Sequence, residues 1–167
     1  YCIFAPKWRL EMEIEVMRAP YNVLVLPFFH KNEEILYCIF KREDMKVWQF
    51  IAGGGEEGET PILAAKRESL EEASISENHQ YKKLESMCYV SVDNFSEKSR
   101  KHWGKKYVIP VYSFAVELFS TEIQISHEHT EYCWCTYEEA RERLYFDLDK
   151  TAIYELNERI SNDQWNI

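Results

Sequence analysis

A chain of 167 residues, 46% apolar and 15% aromatic, holds enough material for a core of its own and argues against a disordered polypeptide. A formal net charge of −9 speaks against nonspecific binding to nucleic acid or an anionic membrane, though not against a polyphosphate, since a bound cation inverts the local sign. No run approaches the ~18 apolar residues of a membrane span, and the cysteines (Cys2, Cys38, Cys88, Cys133, Cys135) form an odd set with no C-x-x-C pair, which reads as reduced, mostly packed thiols in a cytoplasmic protein.

Residues 1–11 precede the first methionine and lack the layout of a signal peptide, so they are read as a start outside the core of one domain spanning 1–167. Residues 22–29 (NVLVLPFF) form an apolar run expected as a buried strand, broken or bulged at Pro27. A turn at 30–33 and an alternating strand at 35–41 complete a hairpin. Residues 48–51 read as a short strand, with Trp48 in the core; stacking on a substrate ring is the alternative.

The stretch from Gly53 to Ile75 organises the rest. Gly53-Gly54-Gly55 permits backbone conformations that other residues resist, and reads as a tight loop approaching a ligand or metal. Thr60-Pro61 is a helix start, a hydroxyl N-cap followed by proline at the first helical position. The helix carries Glu68, Glu71 and Glu72 at i, i+3, i+4, which puts three carboxylates on one face, with Ile62, Leu63, Leu70 and Ala73 expected on the other. Like charges so placed destabilise an isolated helix by a few tenths of a kcal/mol per pair. Hard cations, Mg²⁺ above all, are commonly held by carboxylates together with substrate phosphates.

Strands are expected at 81–92 and 107–118, separated by a polar segment. That segment holds Lys98, Arg100, Lys101, Lys105 and Lys106, five of the chain's 20 basic residues, along with His102 and Trp103. Arg100 and Lys101 suit phosphates and Trp103 a stacked ring; a solvated loop is the equal alternative. Ile123 and Ile125 alternate ahead of His127-Glu128-His129, and a strand follows through Trp134. The two histidines suggest a transition metal, but no third nitrogen or sulfur ligand lies nearby in the sequence. Cys133 and Cys135 alternate as a strand would, so their thiols share a face on which a metal clip is conceivable. Thr136-Tyr137-Glu138-Glu139 is a capping box, and Leu148, Ala152, Leu156 and Ile160 make an i, i+4 stripe on a last helix.

Gly53, five residues, Glu59, seven residues, then Arg67-Glu68-x-x-Glu71-Glu72 resembles the Nudix box of the Nudix hydrolases. Two positions depart: Ser69 replaces the usual aliphatic residue, with Leu70 supplying bulk one place later, and Ser74 replaces the terminal glycine. Serine in a left-handed cap there costs about 1 kcal/mol. The resemblance implies an α/β fold, the Nudix α/β/α sandwich with a mixed sheet and one catalytic loop-helix. It covers roughly residues 20–160. Trp48-Gln49, the run Glu56 to Thr60, Ser74, and Glu128-His129 with Trp134 beyond resemble the bacterial dihydroneopterin triphosphate pyrophosphatase and dATP pyrophosphohydrolase subgroup.

That resemblance implies hydrolysis of a phosphoanhydride in a nucleoside or pterin triphosphate, with pyrophosphate released. Glu68, Glu71 and Glu72, helped by the carbonyl of Ala52 and by Glu128, would hold Mg²⁺, with Mn²⁺ as the alternative ion. Glu68 or Glu128 would act as base, and His127 and His129 would orient Glu128. Arg67 would pair with Glu59 to brace the loop carrying Gly53. The partner would be a small-molecule polyphosphate rather than nucleic acid or membrane, and the protein a monomer or homodimer. The alternatives are a non-hydrolytic nucleotide-binding regulator and a hydrolase of a dinucleotide or nucleotide sugar.

Overall fold

The computed structural model of the chain describes residues 16–166; the expected non-core start at 1–11, and Cys2 within it, lie outside that range. Strand β1 (Arg18–Lys31) is the hub, and its apolar run is continuous because both faces are covered. Leu24, Leu26 and Phe28 point into one core, Val23 and Val25 into the other.

One edge of β1 pairs in parallel with β6 (Val108–Leu118), from Asn22↔Val111 to Phe29↔Leu118. The other edge is shared. β4 (Ile51–Glu56) takes Asn22 to Val25, and β2 (Glu34–Arg42) takes Phe28 to Lys31. Pro27 falls at this changeover, where no partner on that edge needs its missing amide hydrogen. β1 therefore runs unbroken through a residue expected to interrupt it. β3 (Trp48–Gln49) and β7 (His129–Cys135) both pair with β2, and β5 (Tyr81–Ser91) closes the far side against β6. The described residues thus form one mixed seven-stranded sheet.

Helix α1 (Pro61–Ala73) covers one face; α3 (Tyr137–Arg143) and α4 (Asp147–Ser161) cover the other. The result is the α/β sandwich expected of the sequence. Thr136 and Glu139 make the capping box of α3, and Ala152 and Leu156 of the α4 stripe are fully buried. The basic segment is not a plain loop: a 3-10 turn (Val92–Asn94) leads into α2 (Glu97–Trp103), capped by Ser96. Residues 119–128 form no strand despite the alternation of Ile123 and Ile125. They follow the end of α1 instead, with Ser126 N–H donating to the Glu72 carbonyl at 3.0 Å.

Three expectations about the central stretch are corrected. Gly53, Gly54 and Gly55 belong to strand β4 rather than a loop, and none of them takes a left-handed φ; Gly58, in the turn that follows, does, at +84°. The buried face of α1 is Ala64, Ala65, Ser69, Glu72 and Ala73, while Ile62, Leu63 and Leu70 are exposed at 36%, 52% and 46%. Small side chains let the helix approach closely, so bulk is driven outward and Leu70 does not fill the place of Ser69. The Ser69 hydroxyl instead donates to the Ala65 carbonyl at 2.7 Å. Thr60 stands at the N-cap with Pro61 behind it, yet its side chain makes no capping bond. Ser74 does adopt the left-handed cap, at φ 55° and ψ 32°, with its N–H on the Leu70 carbonyl.

Candidate active site

The glycines of β4 are explained by what lies over them. A Cβ on Gly53 would sit inside the Glu68 carboxylate, and one on Gly54 inside the Arg18 guanidinium. Absent side chains on the strand are what let α1 lower its acidic face onto it.

Arg67 ties this junction together. Its Nε and Nη2 donate to the two carboxylate oxygens of Glu59, each at 3.0 Å, and Nη2 also reaches the Gly54 carbonyl at 2.7 Å. Its Nη1 donates to Glu68 at 3.0 Å and to Glu71 at 3.1 Å. A planar fork matched to a carboxylate fixes orientation as well as charge. Glu59 accepts a further bond from the Glu56 amide at 3.0 Å, so the turn after β4 is clamped to α1.

The three helix carboxylates occupy different environments. Glu71 is largely exposed. Glu68 is mostly buried, and burial, only partly opposed by Arg67, pushes its carboxyl up to about 7. Glu72 is buried at 2% exposure; burial again raises its carboxyl, and His129 opposes the shift. His129 Nε2 lies 2.7 Å from Glu72 Oε2, while its Nδ1 is buried without a partner. His129 therefore orients Glu72 and not, as expected, Glu128. His127 is exposed in the preceding turn, so the two histidines do not converge on a transition metal.

Glu128 is exposed, and its charge is near enough to raise the Glu72 carboxyl. It lines a cavity of about 360 Å³ together with Arg42, Asp44, Gln49, Ala52 and His127. A second cavity of about 580 Å³ continues from it, sharing Arg42, Gln49 and Ala52. Its walls include Asn22, Phe95, Phe146 and Asp149. Asp149, at the start of α4, is 3% exposed and accepts the Phe50 N–H at 2.8 Å; burial pushes its carboxyl up to about 7.

The residues suggested for phosphate and ring contacts are arranged otherwise. Trp103 is 8% exposed; its indole N–H donates to the Arg18 carbonyl at 2.7 Å and its ring meets Phe95 edge-on, so no face is open for stacking. Lys101 pairs with Glu97 at 2.6 Å, and neither it nor Arg100 lines the two cavities. The segment instead contributes Asn94 and Phe95.

Among the described residues, no three His, Cys, Asp or Glu side chains are drawn together as a ready cation cage, since Glu68 and Glu71 both turn to Arg67. The donor set still fits a hard divalent ion, because carboxylate and carbonyl oxygens are what such ions take and Glu68 lies directly over Gly53.

Sequence reading missed Asn22, Phe95 and Asp149 as cavity walls. An acidic residue in a first helical turn normally signals only a favourable helix dipole.

A glycine-bearing strand locked by arginine to an acidic helix, within this sandwich, defines a Nudix fold. The NUDIX domain profile matches residues 19–156, and the chain belongs to that family. It is 36% identical over 64 residues to dihydroneopterin triphosphate diphosphatase of Escherichia coli K12, covering 38% of this chain and 42% of that protein. It is 44% identical over 75 residues to RNA pyrophosphohydrolase of Rickettsia typhi, covering 44% of this chain and 45% of that protein. The matches thus span less than half the length of these curated relatives. A solved Listeria monocytogenes structure classed as a NUDIX hydrolase superposes with a TM-score of 0.79 at 40% identity, over 87% of this chain and 97% of that one.

Proposed function

We propose that this chain is a Mg²⁺-dependent hydrolase, able to use Mn²⁺, that cleaves a phosphoanhydride of a ring-bearing triphosphate and releases pyrophosphate. A pterin triphosphate or a nucleoside triphosphate such as dATP is the substrate class. One observation carries this reading: two cavities meet at Arg42, Gln49 and Ala52, one carboxylate-rich and one walled by aromatic and amide side chains. A polyphosphate would extend into the first and its ring into the second.

Glu68, Glu71, Glu72, Glu128 and the Ala52 carbonyl are the proposed metal ligands. Bound among these oxygens, Mg²⁺ would neutralise phosphate charge and acidify the attacking water. Arg67 holds Glu68 and Glu71 in place through its clamp on Glu59, and His129 fixes Glu72. Glu128, exposed at the cavity wall, would take the proton of the water. Phe95 and Phe146 offer apolar contact to a ring, while Asn22 and Gln49 offer amide donors and acceptors to its edge. The small-molecule reading is supported by the name of the E. coli relative and by the net charge of −9, which disfavours RNA.

The test is a substrate panel with Mg²⁺: dihydroneopterin triphosphate, the nucleoside triphosphates, a dinucleoside polyphosphate, ADP-ribose, NADH and a 5′-triphosphate RNA. The expected outcome is pyrophosphate from a pterin or nucleoside triphosphate at the highest kcat/KM. Preferred turnover of RNA or a dinucleotide would overturn the substrate class. Binding of these compounds without any product would overturn hydrolysis.

A further inference from the structure

We propose that Cys133 and Cys135 form a redox-modification site at which a hydroperoxide oxidises Cys133 and Cys135 closes a reversible disulfide within strand β7. The two residues share one face of the strand, as its period of two requires, and their sulfurs lie 3.0 Å apart as free thiols. Arg143, at the end of α3, brings a guanidinium nitrogen to 3.4 Å from the Cys133 sulfur. The capping box at Thr136 turns the chain directly from β7 into α3, and this folds Arg143 back onto Cys133. A cation against a partly exposed sulfur is the setting in which a thiolate reacts.

The roles of the two sulfurs follow from their surroundings. Cys133 is half-buried, whereas Cys135 is 1% exposed, so Cys133 is the sulfur that solvent reaches more readily. Burial and the neighbouring sulfur push the Cys135 thiol up to about 12, so it stays protonated until an electrophile forms beside it. Cys38 is no competitor: it stands opposite Trp134 and packs in the core beneath α1, on the other face of the sheet.

In the first step the Cys133 thiolate attacks the outer oxygen of the hydroperoxide, the O–O bond breaks, and an alcohol or water leaves with a solvent proton. Cys133 is then a sulfenic acid. In the second step the Cys135 sulfur displaces that hydroxyl, which departs as water with the Cys135 proton. The sum is two thiols and one hydroperoxide giving one disulfide, one alcohol and one water, with two electrons passing from sulfur to oxygen. Same-face positions i and i+2 of an extended strand hold both their Cα atoms and their parallel Cβ atoms about 6.6 Å apart, beyond the roughly 3.5–4.5 Å between Cβ atoms that a disulfide accepts, so the end of β7 must bend to close the bridge. The bridge is therefore strained, which makes it readily reducible.

The experiment treats the reduced full chain with one equivalent of hydrogen peroxide, blocks remaining thiols with iodoacetamide and maps tryptic peptides by mass. Residues 107–141 form one tryptic peptide containing both cysteines. The expected product is that peptide lighter by two hydrogens and unalkylated, restored to two alkylated thiols by dithiothreitol. Cys135→Ser should trap a dimedone-reactive sulfenic acid on Cys133, and Arg143→Gln should slow oxidation several-fold. Recovery of both thiols alkylated after peroxide, over-oxidation of Cys133 without a bridge, or pairing of Cys133 with another cysteine would each overturn the proposal. The wild-type map decides the matter even where a variant fails to fold.

Discussion

His129 Nε2 and Glu72 Oε2 lie 2.7 Å apart with side chains 1% and 3% exposed, so the start of β7 and the end of α1 are joined by a dry ionisable pair. A carboxylate so buried is costly alone, and costlier near a helix C-terminus, where the macrodipole disfavours negative charge. His129 supplies the compensating donor, and the Phe40 ring packs beside its own, tilted by 41° with centroids 5.2 Å apart. A residue of the family's acidic helix thus depends on a strand reached only through the long connection after β6.

Removing His129 leaves the Glu72 carboxylate buried and unpaired. His129→Ala should cost about 3 kcal/mol of stability, a fall in Tm of roughly 2–4 °C per kcal/mol for a chain of this size. His129→Gln, which retains a donor, should recover part of that loss. Equal melting temperatures for His129→Ala and the wild type would show that the pair carries no weight.

The Arg67 fork makes a second prediction. Arg67→Lys keeps the charge but cannot span both oxygens of Glu59 while reaching the Gly54 carbonyl. Partners that orient metal ligands are typically worth about 10–100-fold in metal affinity or activity, and a loss of that order is expected in kcat at saturating Mg²⁺. Wild-type turnover in Arg67→Lys would remove the clamp from the mechanism.

Ring binding is assigned to the cavity bearing Phe95 rather than to the basic face of α2. Phe95→Ala should raise KM for a triphosphate several-fold. The double change Arg100→Gln with Lys101→Gln should leave KM close to wild type at moderate salt. The reverse ranking would return the phosphate contact to α2.

Asp149 gives a pH dependence whose sign is fixed. Its carboxyl is pushed up to about 7 in the folded chain, against about 3.9 for an unperturbed aspartate. Between those values the folded state keeps a proton that the unfolded state has lost. The contribution of this group is therefore fully present at low pH and is lost as pH rises towards 7. Asp149→Asn should remove that slope while still accepting the Phe50 N–H. Urea midpoints at pH 5 and pH 7.5 for both proteins check this; an identical pH response would contradict it.

What was legible in the sequence were features written in local periodicity or chemistry. They include the β2 hairpin partner, the capping box at Thr136, the stripe on α4, the left-handed Ser74, and the carboxylate–arginine spacing of α1. What was not legible depended on contacts between distant segments. Pro27 is tolerated because two different strands happen to change over beside it. Leu63 and Leu70 face outward because the helix sits too close to a glycine strand to admit them. Trp103 is sequestered by a carbonyl 85 residues earlier, and no window of sequence could show that Asp149 meets the amide of Phe50.

Metal-dependent hydrolysis through the acidic helix is probed most cleanly at Glu71, the most exposed of the three carboxylates. The direct measurement is the pyrophosphate release rate from a saturating triphosphate, with Mg²⁺, for wild type and Glu71→Gln. The expected result is unchanged melting for the variant and a rate lower by about 100-fold or more, of the order lost when charge stabilisation at a transition state is removed. Glu71→Gln turning over at the wild-type rate, or wild-type release persisting after exhaustive chelation, would contradict that mechanism.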